Sequence, residues 1–264
     1  MKIGFIGCGN MATAMLKGIL KSGEVEASDM IASAKSDKTR EKIEKELGIR
    51  KADNNAQVVD FADVVFLAVK PQFLEGVLDE IRGSVKAGQI FISIAPGKTL
   101  QWLGERLGEN TKVIRTMPNT PAMVGEGMTA LCVNELVTEE EIALAVKLCD
   151  TFGKTEVIPE HLMDAVVGVS GSSPAYVFMF LEAMADAAVA DGMPRAQAYK
   201  FAAQSVLGSA KLMQETGKHP GELKDMVCSP AGTTIQAVRV LEEKGFRSAV
   251  IEAQTECVKK AKGM

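Results

Sequence analysis

The sequence predicts an α/β fold for residues 1–158 and an all-helical domain for residues 159–264. In the first part, short apolar runs alternate with amphipathic stretches of helical period, which is typical of a parallel sheet flanked by helices. Beyond about residue 160 these runs stop, and segments rich in Ala and Met continue with helical spacing to the end. We therefore expect two domains, each long enough to bury a core of its own.

The apolar runs place the elements of the first domain. Strands are predicted over residues 2–6, 30–33, 64–69, 89–94, 112–116 and 128–133. Helices are predicted to begin near residues 11, 37, 71 and 99. A further helix is predicted after Thr138, because Thr138 and Glu141 have the spacing of a capping box.

The second domain is predicted to contain five helices, over residues 174–190, 194–214, 220–227, 233–243 and 246–262. Residues 175–181 are apolar on every side of the first of these helices, which the surface of a monomer would not tolerate. In so small a domain, a partner subunit is the simplest way to bury this apolar helix, so we expect a homodimer. The alternative is a central helix enclosed by its own chain.

Composition argues against several classes of protein. The 30 basic and 34 acidic residues form no basic stripe, so no nucleic-acid partner is expected. Five cysteines without a CxxC pair predict neither a disulfide framework nor a metal site, and reduced thiols are typical of a cytoplasmic protein. The longest apolar run, residues 175–181, is too short to cross a bilayer, so no membrane segment is expected.

A glycine-rich turn after the first strand carries the first functional signal. Gly7, Gly9 and Ala12 match the GxGxxG/A pattern of a Rossmann dinucleotide-binding domain, in the required strand-to-helix context. Gly7 permits the tight turn, Gly9 lets the backbone approach a pyrophosphate, and Ala12 lets helix and strand pack closely. The expected cofactor contacts here are Ile6, Gly7, Gly9, Asn10 and Met11.

The end of the second strand predicts which dinucleotide binds, because an acid there grips a ribose 2′-hydroxyl and repels a 2′-phosphate. Asp29 precedes this strand and so lies at the wrong edge of the sheet. NADPH is therefore favoured, with NADH as the second candidate, and the expected phosphate contacts are Ser33, Lys35 and Ser36. The alternative interpretation of Lys35 is a solvated surface lysine.

Later strand ends are expected to line the same crevice, because ligands of open parallel sheets bind beyond the carboxyl ends of the strands. These ends supply Ala68, Val69, Lys70 and Ala95. The alternative is that the prolines after them merely terminate the strands. A loop stiffened by two prolines, residues 116–121, adds Asn119 beside the nicotinamide.

Two hydroxyl- and glycine-rich turns, residues 168–176 and 227–234, run into helices of the second domain. Hydroxyls and free N–H groups at the start of a helix form a carboxylate pocket without arginine, whereas simple helix capping is the alternative. Neither His161 nor His219 lies beside a carboxylate or a cysteine at a telling spacing, which argues against a histidine-based dehydrogenase.

Taken together, these motifs resemble the pyrroline-5-carboxylate reductase family, whose enzymes catalyse the last step of proline biosynthesis. The resemblance spans essentially the full length, through residues 5–11, 68–71, 115–121, 168–176 and 220–242. Its most specific part is the last segment, with Ser229, Gly232, Thr233 and Thr234 in their pattern positions. One departure is Ser173, which stands where many members have glycine.

The resemblance implies hydride transfer from NADPH or NADH to the imine carbon of 1-pyrroline-5-carboxylate, which gives L-proline. It also implies a C-terminal dimerisation domain, and some members assemble five dimers into a decamer. The residues it implies for the substrate are Ser229, Gly232, Thr233 and Thr234, with Thr234 near the ring nitrogen as the catalytic group. Asn55 resembles the family's contact to the adenosine ribose.

Glu160 is a further candidate for the substrate site, because its negative potential would favour a protonated imine. The alternative is a solvated surface glutamate. Two rival functions also stay open. A 3-hydroxyacid dehydrogenase would need a lysine and an asparagine where this chain has Val177 and Leu181. A non-catalytic dinucleotide sensor would not consume NADPH steadily when pyrroline-5-carboxylate is added.

Overall fold

The computed structural model describes residues 1–263, except the side chain of Lys42, and it divides into two compact units. The first unit comprises residues 1–171 with the end of the chain from Lys260, and the second comprises Ser172–Lys259. The first unit extends beyond residue 158 because Met163 packs against Ala130 and Cys132 of the sheet.

An eight-stranded sheet forms the centre of the first unit. Its strands are β1 Ile3–Ile6, β2 Met30–Ser33, β3 Arg50–Lys51, β4 Val64–Leu67, β5 Ile90–Ser93, β6 Lys112–Met117, β7 Gly127–Val133 and β8 Gly153–Val157. The order is β3-β2-β1-β4-β5-β6-β7-β8, and all neighbours are parallel except β6 and β7. The connections therefore change direction between β1 and β4, where open parallel sheets bind their ligands.

The described residues contain twelve helices. The first seven belong to the first unit with the sheet, and the last five form the second unit. They are α1 Asn10–Ser22, α2 Asp37–Lys45, α3 Asn55–Phe61, α4 Pro71–Ile81, α5 Leu100–Leu107, α6 Glu139–Asp150, α7 Met163–Val166, α8 Ser173–Ala190, α9 Arg195–Thr216, α10 Pro220–Val227, α11 Thr233–Glu243 and α12 Phe246–Ala261. The predicted α/β class, the six predicted strands and the predicted helices are confirmed.

Two apolar layers hold the sheet between its helices. On one face, α1, α2 and α6 pack over Phe5 and Phe66, whose rings stack with centroids 4.4 Å apart. On the other face, α3, α4 and α5 pack over strand residues that include Phe91. Both faces are covered, so the strands are continuous apolar runs rather than alternating ones.

The sequence analysis missed four elements, and each has a physical reason. α7 has only four residues, too few to show a helical period. β8 is an edge strand with Lys154 and Glu156 exposed, and such charges protect an edge from unwanted pairing while hiding the apolar pattern. β3 has only two residues, both exposed. α3 is short, and it begins after Asn54, whose side chain accepts a hydrogen bond from the Gln57 N–H at 2.9 Å.

Helix α8 leaves large apolar side chains uncovered by its own chain. Phe178 is 64% exposed and Met179 is 70% exposed, while Ala185 is the one buried residue of this helix. The continuous helical stretch Glu160–Ala190 passes a length and composition test for a membrane-crossing segment, which is weak evidence because helices with other apolar partners pass it too. The expectation that α8 needs cover from outside its chain is confirmed, and the alternative of a helix enclosed by its own chain is wrong.

Substituting Gly153 tests the contact between β7 and β8. A Cβ at this position would lie 1.9 Å from the Gly127 carbonyl oxygen, so Gly153→Ala must push the two strands apart. We expect the free energy of unfolding to fall by about 1–3 kcal/mol or more, measured by chemical denaturation. Gly76→Ala is the control, because a Cβ there meets nothing within 4 Å in the interior of α4 and should stabilise by up to about 1 kcal/mol. Equal stability of the two variants would contradict this account.

Candidate functional site

Gly7 joins the ends of three strands at the point where the connections change direction. Its φ of +96° is in the left-handed region, and a Cβ would lie 2.7 Å from the Ala68 carbonyl oxygen. Its N–H donates to the Ser33 carbonyl at 3.1 Å. The turn therefore brings the ends of β1, β2 and β4 to one crevice, as the sequence predicts.

The N-terminus of α1 is open toward this crevice. Gly9 is the N-cap residue, so no side chain at this position accepts a hydrogen bond from the first N–H groups of the helix. A Cβ on Gly9 would meet nothing within 4 Å. The N–H groups of Asn10, Met11 and Ala12 begin the 13-residue helix, so their dipoles favour an anion at this end. An uncapped helix start beside free space fits the pyrophosphate of a dinucleotide.

A cavity of about 280 Å³ lies beside this turn. Five residues from the sequence analysis line it, namely Gly7, Ser33, Lys35, Asn55 and Val69. Six further residues line it that the sequence analysis did not identify, namely Ala34, Arg40, Asp53, Asn54, Val77 and Glu80. The predicted contacts at the adenosine end of the cofactor therefore converge on one space.

Hydrogen bonds connect Ser33, a predicted phosphate contact, and Asn55, a predicted ribose contact, to an acid. The Ser33 hydroxyl donates to Asn55 Oδ1 at 2.6 Å, and Asn55 Nδ2 donates to Glu80 Oε2 at 2.7 Å. The backbone N–H of Asn55 also donates to Glu80 Oε1 at 3.3 Å. The end of β2, the start of α3 and the end of α4 are thus linked by a chain of three side chains.

Two cations stand at the end of β2. Lys35 Nζ lies 5.4 Å from the centroid of the Phe73 ring, and Arg40 Nε donates to the Ala34 carbonyl at 2.8 Å. Ser36, a third predicted phosphate contact, does not line the cavity, and its hydroxyl lies 2.8 Å from that of Thr39. Arg40 was missed, although a cation in the first turns of the helix after the second strand was a usable signal.

The remaining predicted cofactor contacts are positioned by their backbones. Ile6 is fully buried, and its carbonyl accepts from the Ala68 N–H at 2.8 Å. Ala95 is also buried, while Lys70 is exposed at the N-cap of α4. These residues lie at strand ends, which is where the sequence analysis placed them.

Asn119 uses its side chain within the protein. Its amide nitrogen donates to the Ser170 carbonyl at 3.0 Å, and its amide oxygen accepts from the Met128 N–H at 2.8 Å. The residue is buried. The side chain therefore holds this loop in place, and the contact of Asn119 with the nicotinamide stays a prediction.

Glu160 is half-buried and paired with a cation. Its Oε1 accepts from Arg115 Nη1 at 2.9 Å and from the Leu100 N–H at 2.8 Å. Burial and the Glu160 charge raise the pKa of the neighbouring Cys132 thiol to about 12, so this cysteine stays protonated. Arg115 balances part of the carboxylate charge, and the role of Glu160 at the substrate stays a prediction.

The turn between α10 and α11 presents unused hydrogen-bonding groups. The hydroxyls of Ser229, Thr233 and Thr234 form no hydrogen bond with any residue from 1 to 263, and no side chain caps α11 at Gly232. A Cβ on Gly232 would lie 2.3 Å from Ser229 Oγ, and Ala231 has a φ of +60°. This tight turn leaves three hydroxyls and the first N–H groups of an 11-residue helix available to a carboxylate. Helix capping does not explain these hydroxyls.

The other hydroxyl-rich turn is committed to its own chain. Ser170 donates to the Val166 carbonyl at 3.3 Å, and the Ser172 hydroxyl accepts from Cys257 Sγ at 3.0 Å. The turn at residues 228–234 is therefore the stronger candidate for a small acid.

Among residues 1–263, no group of three or more His, Cys, Asp or Glu side chains is arranged to hold a metal.

Two family models match the chain. The model described as pyrroline-5-carboxylate reductase dimerisation matches residues 160–264. The model described as NADP oxidoreductase, coenzyme F420-dependent, matches residues 2–97. The second match covers the Gly7 turn and the cavity beside it, and the first covers the turn at residues 228–234.

Relatives and solved structures agree with these models over nearly the full length. The pyrroline-5-carboxylate reductase of Escherichia coli K12 is 56% identical over 260 residues, covering 98% of this chain and 97% of the relative. The structure of the Coxiella burnetii enzyme has a TM-score of 0.94 at 33% identity, covering 99% and 97% of the two chains. The structure of Plasmodium falciparum pyrroline carboxylate reductase with NADP bound has a TM-score of 0.88 at 28% identity, covering 100% and 97%.

Two glycine variants separate binding from folding at the Gly7 turn. Gly9→Ala places a methyl group in the open space before α1, so we expect the Kd for the dinucleotide to rise by about 10-fold or more with little change in Tm. Gly7→Ala is the comparison, because strain at a φ of +96° and the Ala68 contact should lower both affinity and Tm. Fluorescence titration and thermal denaturation measure the two effects. Wild-type affinity in Gly9→Ala would show that the pyrophosphate does not approach here.

Proposed function

The chain belongs to the pyrroline-5-carboxylate reductase family, and on that premise we propose how its own residues serve the family's reaction. The reaction is hydride transfer from a reduced nicotinamide dinucleotide to the imine carbon of 1-pyrroline-5-carboxylate, which gives L-proline. The single observation that carries our proposal is the set of unused hydroxyls and N–H groups at Ser229, Thr233 and Thr234.

The cofactor would be held by the Gly7 turn and the cavity beside it. Backbone groups of Gly9, Asn10 and Met11 would take the pyrophosphate, and Asn55 would contact the adenosine ribose. The strand-end residues Ala68, Val69, Lys70 and Ala95, with the loop of Asn119, would line the nicotinamide end. When bound, the reduced nicotinamide supplies the hydride.

We propose NADPH as the preferred cofactor, with NADH also accepted. No acid stands at the end of β2, where Lys35 and Arg40 offer two positive charges beside the cavity. The Plasmodium falciparum relative was solved with NADP bound, which supports the same choice.

The substrate carboxylate would rest in the turn at residues 228–234. Ser229 and Thr233 hydroxyls and the first N–H groups of α11 would donate to it, with Gly232 keeping the turn narrow. Thr234 would also hydrogen-bond at the ring nitrogen and hold or relay its proton. We keep Glu160 as a contributor through the segment that it ties to Arg115 and Leu100, rather than through its charge.

This pocket needs no strong general acid. A cyclic imine is basic enough to be partly protonated at its nitrogen in neutral water, and the imine carbon of this protonated form accepts hydride readily. The task left to the protein is to hold the substrate in a fixed orientation and to exclude water, which oriented hydroxyls and N–H dipoles perform well. Because the protein needs only to orient the substrate and exclude water, the proposed substrate turn can consist of serine, threonine and glycine.

We propose a homodimer built on the second unit, with a decamer of five dimers as the larger assembly, in the cytoplasm. The dimer is supported by the dimerisation model over residues 160–264 and by the uncovered apolar side chains of α8. A cytoplasmic location is supported by cysteines that form no disulfide among the described residues. Sedimentation velocity distinguishes a dimer from a decamer.

The activity is tested by following NADPH absorbance while 1-pyrroline-5-carboxylate is added, with 3-hydroxyacids as alternative substrates. Steady consumption with the imine alone supports the proposal. Binding of NADPH without turnover would point to a cofactor sensor, and turnover with a hydroxyacid would point to a dehydrogenase.

Thr234→Ala tests the contact with the ring nitrogen. Loss of a hydrogen bond to a charged group costs about 1.5–3 kcal/mol, so we expect kcat/KM to fall by roughly 10- to 150-fold. Thr234→Ser should recover most of the activity because it retains the hydroxyl. Thr216→Ala is the control, since that hydroxyl donates to the Leu212 carbonyl and accepts from the Lys218 N–H at the end of α9. Wild-type kcat/KM in Thr234→Ala would refute the role.

Lys35→Ala and Arg40→Ala test the choice of cofactor. Each removes a positive charge from the cavity, so the Kd for NADPH should rise by about 10-fold while the Kd for NADH changes little. Lys17→Ala, on the exposed side of α1, serves as the control for loss of a positive charge. An equal loss of affinity for both cofactors would argue against recognition of a 2′-phosphate here.

A further inference from the structure

We propose that Glu80 is a positioning residue which, through Asn55, fixes the hydrogen-bonding direction of Ser33 and so limits the preference for NADPH over NADH. This inference rests on the proposed cofactor binding. It concerns a residue of α4 that lines the adenosine end of the cavity but lies outside the glycine turn and the strand ends.

The orientation of the Asn55 amide follows from the chemistry of its neighbour. An ionised carboxylate only accepts hydrogen bonds, so the atom of Asn55 that lies 2.7 Å from Glu80 Oε2 must be the amide nitrogen. The backbone N–H of Asn55, 3.3 Å from Oε1, adds a second donor to the same carboxylate. Glu80 therefore leaves the amide only one orientation.

That orientation decides what Ser33 offers to the cavity. The Asn55 amide oxygen points at Ser33 and only accepts, so the Ser33 hydroxyl must donate its single proton across the 2.6 Å contact. What remains for a ligand is the pair of lone pairs on Ser33 Oγ. In this arrangement Ser33 is an acceptor toward the cavity.

An acceptor at this point favours one of the two cofactors. The ribose 2′-hydroxyl of NADH has a proton to donate to Ser33, whereas an ionised 2′-phosphate has only acceptor oxygens. Lys35 and Arg40 act in the opposite direction. The preference is thus a balance that the hydrogen-bond chain from Glu80 shifts toward NADH.

Glu80→Gln removes the constraint without changing the shape of the side chain. A glutamine amide both donates and accepts, so Asn55 is free to turn over and donate its own N–H to Ser33. The Ser33 proton then becomes available to a 2′-phosphate. We expect the ratio of Kd for NADH to Kd for NADPH to rise by about 3- to 10-fold, the range of one net hydrogen bond.

The experiment measures both dissociation constants for each variant of the full-length protein by the fluorescence of the reduced nicotinamide. Asp79→Asn is the matched control, because it removes one acidic charge from the neighbouring exposed position of α4. We expect it to leave the ratio within about 2-fold of wild type. Loss of structure alone would weaken both cofactors together, so a change in the ratio reports on positioning.

A second background separates the hydrogen-bond chain from simple charge. In Ser33→Ala the hydroxyl is absent, so Glu80→Gln should move the ratio by less than about 2-fold if it acts through Ser33. An unchanged ratio in Glu80→Gln alone, or the same rise in both backgrounds, would overturn the inference. Failure of the wild type to bind either dinucleotide would instead overturn the proposed function.

Discussion

The close approach of Gly7 to the end of β4 is the constraint on which the cofactor region depends. The Ala68 carbonyl oxygen lies only 2.7 Å from the position that a Cβ of residue 7 would take. The chain turns directly out of β1 here and enters α1 at Gly9. The same turn binds Gly7 to the end of β2 through Ser33. Three strand ends and one helix start are fixed together by a residue that has no side chain.

The turn at residues 228–234, where we propose that the substrate binds, follows a similar logic in the second unit. Gly232 is pressed against Ser229, and the turn ends on a helix start that no side chain caps. The groups that a carboxylate needs are therefore dipoles and hydroxyls, held by backbone geometry rather than by paired charges. The one conspicuous ion pair near the end of the sheet, Arg115 with Glu160, is committed to structure.

Local patterns in the sequence predicted the parts of the site that depend on neighbours along the chain. Gly7 and Gly9 follow from a strand-to-helix context, and the residues from Ser229 to Thr234 follow from a short turn between two helices. Glu80 and Arg40 escaped because their place depends on how α4 and α2 pack beside the end of β2. The ion pair of Glu160 escaped for the same reason, since its partner Arg115 lies 45 residues away along the sequence.

Because α8 exposes apolar side chains, formation of the active protein depends on the association of two chains. Phe178 and Met179 are not shielded by their own unit, so a newly made chain reaches its lowest free energy only after meeting a second copy. Assembly is then second order in chain concentration, and scarce transcripts would yield disproportionately little mature protein. A chain with a defective first unit but an intact second one would still pair with intact copies, because the exposed apolar side chains of α8 lie in the second unit.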